Sequence, residues 1–241
     1  MSEASLRIRA VVGKELREYR RNRFILGTTI ILPVAFLVLP VTGLLSLSGT
    51  APPAAVRKLA ESAELMMLLV PIILPAAIAA YSVVGEREQG TLEPVLTTPI
   101  AATELIVGKA VAAVLPTVVI AYVIAGAFGV AVRIQGNHAA VSAVWQPAQV
   151  VAEILFAPLL ATWATWVAMA VSARSTDVRV AQQLSSLGSL PMLGVTSLFA
   201  FRVLTPTVGL ALVVALALLV VDSVAWRVVV VLFDRERLVT L

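Results

Sequence analysis

The chain has 241 residues, of which 60 % are hydrophobic and 13 % charged, with a mean hydropathy of +0.99. A water-soluble domain cannot cover that much apolar surface, so lipid is the solvent for most of the chain, and the length leaves room for one membrane domain and little else. There is no cysteine, which excludes disulfides, thiol catalysis and cysteine-ligated metals, and the single His138 cannot build a multi-histidine site. The net charge of +4 is no footprint of nucleic acid, because the cations lie beside apolar segments; the partners it points to are lipid headgroups.

The first element is an amphipathic helix over residues 5–22. Ile8, Val12, Leu16 and Tyr19 fall within a sector of about 80° at helical spacing, while Arg9, Lys14, Arg17, Arg20 and Arg21 take the other side. Such a helix lies in the membrane interface with its cations toward the headgroups; a simple positive anchor fits the same charges. The apolar run behind it is too long for the core of a signal peptide, so the segment is expected to be retained.

A membrane-spanning helix needs about 20 apolar residues. Six segments meet that measure: 24–47, 64–84, 105–132, 149–172, 184–204 and 207–232. Thr205-Pro206 alone separates the last two, as a tight turn or as part of a re-entrant hairpin. Pro33, Pro40, Pro71, Pro75, Pro116, Pro158 and Pro191 fall inside spans, where neighbouring helices can satisfy the carbonyls they free. Lys and Arg orient the whole. The first 23 residues and alternate loops after them hold 14 of the 18 cations; Arg57, Lys58, Arg133 and Arg202 hold the other side. Both termini are therefore expected in the cytoplasm, a parity that six spans satisfy.

Between the second and third spans lies a charged insert, 85–104. Glu86, Arg87 and Glu88 mark where the second span leaves the membrane, and Gly90 allows the chain to turn. A short helix starts at Gly90 or Thr91, with Glu93 in its first turn where the dipole favours an anion. Pro94 is tolerated only in a first turn. Leu92, Val95 and Leu96 give this helix an apolar face, Thr97, Thr98 and Pro99 stop it, and the next span opens near Thr103 or Glu104. Gly108-Lys109 and Gly13-Lys14 lack the spacing and the Ser/Thr of a phosphate loop, so the chain is expected to bind no nucleotide and no other cofactor. Lys109 reads as an anchor at the membrane interface.

Two acids fall within or near spans. Buried acids in lipid are costly and are often functional. Asp222 is either an intramembrane acid facing another helix or an acid in the headgroups where the sixth span ends; Glu153, near the outer end of the fourth, has the same two readings. Ser185, Ser186, Gly188 and Ser189 open the fifth span as a patch of small residues suited to close helix packing.

The run Gly85-Glu86-Arg87-Glu88-Gln89-Gly90-Thr91-Leu92-Glu93-Pro94, with Thr98-Pro99 and Gly108-Lys109 behind it, resembles the signature of type-2 ABC exporter permeases, most closely the small six-helix sodium-efflux and drug-efflux kind. Gly13-Lys14-Glu15-Leu16-Arg17-Glu18 resembles their N-terminal elbow helix, Ser172-Ala173-Arg174-Ser175 their second cytoplasmic loop, and Phe233-Asp234-Arg235-Glu236 their C-terminal end. The resemblance implies an all-α polytopic membrane protein: an elbow helix over 1–23 and a six-span permease domain over 24–241, multi-pass in the inner (plasma) membrane. It implies a non-catalytic subunit that pairs with a second permease, identical or related, and is driven by cytoplasmic ABC ATPase subunits. The short helix becomes a coupling helix docked on the ATPase through Thr91, Leu92, Glu93, Val95 and Leu96, and Glu86 and Glu88 hold its end against cations of the partner or of the elbow. The competing class, an ion- or proton-coupled carrier without an ATPase, has no need of such a helix and is weakened by the scarcity of intramembrane acids.

Overall fold

A computed structural model describes residues 3–46, 51–81, 84–88, 90, 100–135, 137–200 and 207–233. Among them every regular element is an α-helix: α1 (Glu3–Arg21), α2 (Arg23–Ser46), α3 (Pro53–Ala79), α4 (Val84–Glu88), α5 (Ala102–Gln135), α6 (His138–Val144), α7 (Pro147–Arg174), α8 (Val178–Ala200) and α9 (Val208–Leu232). The expected coupling helix, the Thr205-Pro206 turn and the charged C-terminal end lie outside the described residues.

The helix ends follow from local chemistry. Glu3 stands in the first turn of α1 and Arg20 and Arg21 in its last, each placed to offset the helix dipole. Side chains accept from first-turn amides at four later starts: Asn22 from Ile25 N (3.2 Å) at α2, Asn137 from Ala139 N (3.0 Å) at α6, Asp177 from Arg179 N (2.7 Å) at α8, and Thr207 from Leu210 N (3.1 Å) at α9. Pro53 and Pro147 open α3 and α7, where a missing N–H costs nothing.

The bundle is built around α3, which packs against α2, α5, α7 and α8 and is buried along most of its length; α9 lies on α7, and α1 lies on α5. Outward faces are apolar instead of polar: Ile30 and Ile31 on α2, Val119 and Val123 on α5, and Leu212, Val213 and Leu216 on α9 are all exposed. Water would not tolerate that distribution, so the bundle is a membrane protein.

Among the described residues five candidate spans are long and apolar enough to cross a bilayer: 25–46, the segment 53–86 that includes α3, 102–135, 147–174 and 208–232. The expected fifth span coincides with α8, a 23-residue helix whose first half carries Gln182, Gln183, Ser185, Ser186 and Ser189, and that polarity keeps it out of the set. Here the small residues do what their size suggests. Ser185 and Ser189 are fully buried, and a Cβ on Gly188 would stand 2.6 Å from Val167 of α7. The helices α5 and α7 overrun their expected spans at both ends, α8 starts at Val178 instead of near 184, and α3 starts at Pro53 instead of near 64. Asp222 does not end its helix, since α9 runs on to Leu232; its side chain is buried, and neither carboxylate oxygen accepts a hydrogen bond among the described residues.

Candidate functional site

The site is the junction of α1, the start of α5 and the arm α4. Its geometry starts from Gly108. A Cβ there would lie 2.7 Å from the Cβ of Val11 and 3.4 Å from the carbonyl oxygen of Ile8, so only glycine lets α1 come this close to α5. That approach brings the next residue, Lys109, against the acids of α1.

The Lys109 ammonium donates to Glu15 Oε1 at 2.7 Å and stands 3.0 Å from Glu86 Oε1. Lys14 donates to the same Glu86 oxygen and lies 3.3 Å from Glu18. Glu15, Glu86 and Lys109 are only 3 %, 5 % and 2 % exposed. Charges so far from water are tolerated when each is paired and hydrogen-bonded, and two ammonium groups against two carboxylates meet that condition. Burial pulls the Lys14 pKa down, but the hydrogen bond and charge of Glu86, with Glu15 and Glu18, outweigh it and hold Lys14 above the ordinary lysine value. Beside the cluster, burial together with the charge of Glu15 pushes the Tyr19 phenol well above its usual range, and its hydroxyl donates to Glu15 Oε2 at 3.3 Å. A second tie lies one turn out, where the Arg7 guanidinium forks onto Glu104 at 2.9 and 2.8 Å.

The arm is held from its other side too. The hydroxyl of Ser172, fully buried on α7, donates to Ala80 O at 2.7 Å and accepts from Val84 N at 3.1 Å, tying the end of α3 to the start of α4. Glu88 Oε1 accepts from Val178 N, the first residue of α8, at 3.3 Å, where the helix dipole favours an anion. Gly90 follows with φ +66°, the left-handed turn anticipated at that position. Residues 84–88 thus touch α1, α5, α7 and α8 immediately before the chain enters 91–99.

Of the expected site residues, Glu86 and Glu88 meet here. Glu86 faces cations of α1 and α5, while Glu88 meets a backbone amide and, among the described residues, no cation. Thr91, Leu92, Glu93, Val95 and Leu96 lie outside the described residues. Asp222 and Glu153 lie elsewhere in the bundle. Lys109 requires a correction: it is buried and ion-paired, and does not reach toward headgroups. Lys14 is one of the elbow cations that Glu86 was expected to face, while Glu15, Gly108, Lys109 and Ser172 were missed as members of one site. The signal existed in the two Gly-Lys pairs, which the sequence offered as failed phosphate loops and as parts of the family signature and the elbow, but not as two halves of one contact. Glu15, Glu18 and Glu86 bring carboxylate oxygens within 4.8 Å of one another, but the ammonium groups of Lys14 and Lys109 already stand among them as ion-pair partners. Among the described residues the cluster joins charge to charge and ties the arm α4 to both α1 and α5.

The model of the ABC-2 type transporter family matches residues 7–208, a span that begins in α1 and includes every residue of this junction. No curated protein matches the chain.

Proposed function

The chain belongs to the ABC-2 type transporter family, a permease domain embedded in the membrane, and from that premise we propose that it is the non-catalytic membrane subunit of an ATP-driven exporter. In this reading α1 is the elbow helix on the cytoplasmic face of the inner membrane. The five apolar stretches and α8 make six spans, with both termini in the cytoplasm. The segment Thr91 to Leu96 is the coupling helix, received in a cleft of a cytoplasmic ABC ATPase, and a second permease, identical or related, completes the translocation pathway.

The observation that carries this reading is the clamp on the arm. Lys14 and Lys109 hold Glu86, and the start of α8 holds Glu88. A push delivered at 91–99 therefore reaches α1, α5 and α8 together, which is what a subunit driven from the cytoplasm requires and what an ion-coupled carrier does not need. Co-expression with the neighbouring reading frames tests it. An ATP-binding protein should copurify with the chain, and its ATP turnover should lose dependence on the permease in the double variant Leu92→Glu, Leu96→Glu. Absence of any ATP-binding partner, or turnover indifferent to that variant, overturns the reading.

A further inference from the structure

About 25 Å along α5 from Lys109, where α3, α5 and α7 meet, the bundle encloses a cavity of about 280 Å³. Glu64 of α3 and Glu153 and Gln149 of α7 line it, with Tyr122 and Trp145; among its described lining residues there is no Lys, Arg or His, and the remaining wall is mostly apolar. Arg133 does not line it, its guanidinium lying over the Trp145 ring at 5.4 Å from the centroid. Two observations mark the cavity as built for a ligand. Gln149 is only 7 % exposed and its Nε2 donates to nothing among the described residues, and Glu153 Oε1 is shielded from solvent and accepts nothing among them. A buried donor and a buried acceptor left open on one wall cost stability, and the Glu153 carboxyl bordering an apolar space calls for a cation. The opening lies at the side of the bundle, where Tyr122 and Ile154 are exposed and joined by a hydrogen bond from the Tyr122 hydroxyl to Ile154 O (2.7 Å). A ligand can enter there from lipid while its tail stays outside. Gly126 keeps the space free, because a Cβ on it would meet nothing within 4 Å.

We propose that this cavity binds the ammonium head of an amphipathic amine entering from the bilayer: Glu153 accepts from the ammonium, Glu64 adds negative charge, and Gln149 donates to an acceptor next to the ammonium. That chemistry is shared by an aminophospholipid headgroup and a free lipophilic amine. The site is independent of whether an ATPase docks at 91–99, so its test uses the permease alone. Trp145 is the reporter, in a chain carrying Trp163→Phe, Trp166→Phe and Trp226→Phe, reconstituted in phosphatidylcholine nanodiscs. Titration with 11-bromoundecylammonium should quench Trp145 saturably, at least about tenfold tighter than 11-bromoundecanol. Glu153→Gln should weaken the amine about tenfold. Gly126→Leu should block it by filling the space, while Gly126→Ala binds nearly as the parent does. Phosphatidylethanolamine in the disc competes if the natural source is lipid and leaves the titration unchanged if the source is a free amine. Equal affinity for amine and alcohol overturns the proposal, as does parental binding by Glu153→Gln. That variant keeps shape and size, so its result is decisive even if Gly126→Leu does not fold.

Discussion

Lys109 on α5 and Glu15 on α1 meet at 2.7 Å with both side chains almost wholly out of water, and this contact locks the N-terminal helix to the bundle. Removing one member of a buried pair costs about 3–5 kcal/mol, because the other is left charged without compensation. Lys109→Met should therefore destabilise strongly, as a large fall in the detergent unfolding midpoint. The double variant Glu15→Gln, Lys109→Met should recover much of the loss. If the single and double variants unfold alike, the pair is not the source of the stability.

Gly108 is a steric requirement of the same contact. Gly108→Val drives a side chain into Val11 and should cost about 1–3 kcal/mol by overpacking. Gly108→Ala should cost less, and adding Val11→Ala should relieve it. Protease cleavage at Arg17 and Arg20 reports whether α1 has lifted away, and the order Gly108→Val, Gly108→Ala, parent is expected for its rate.

Ser172 ties the end of α3 to the start of α4 through two hydrogen bonds. Ser172→Ala strips the Val84 amide and the Ala80 carbonyl of that partner at a fully buried position, a loss of about 1–3 kcal/mol. The expected signature is faster amide exchange confined to residues around 80–88. Uniform loosening of the whole bundle would contradict the local role.

The pH dependence of the junction has a defined sign. Lys14 and Tyr19 both have pKa values raised above their ordinary values of 10.5 and 10.0. A group raised in the folded state contributes stability that is complete below its unfolded pKa and is lost as pH rises through the folded one. The contribution of these two groups should thus be flat from about pH 6 to 9 and should fall only above about pH 10. Comparing the pH profile of the unfolding midpoint in the parent and in Lys14→Met, Tyr19→Phe isolates it; a difference between them that changes below pH 9 would show that other groups govern docking.

Asp222 is buried on α9 with no hydrogen bond to either oxygen among the described residues. An acid in that setting costs stability, so Asp222→Leu should raise the unfolding midpoint. A fall would mean that the carboxyl group is satisfied in the assembled protein.

The sequence by itself determined the membrane class, the approximate course of the apolar segments, the amphipathic first helix and the turn at Gly90, because each depends on a local property: run length, helical periodicity or the φ that glycine permits. It also marked the insert at 85–104 as the place where charge breaks the apolar pattern. Only the tertiary structure decided what those charges face. Lys109, Glu15 and Glu86 are far apart in the chain, and a lone lysine at a span end looks the same whether it reaches for a headgroup or is buried against two acids. The difference lies in how close α1 comes to α5, which is fixed by the missing side chain of Gly108. Glu153 likewise reads locally as an acid near a helix end, and becomes part of a cavity wall only when α3 and α5 pack beside it. Local patterns specify helices; burial and pairing depend on which helices touch, and that is a property of the packed bundle.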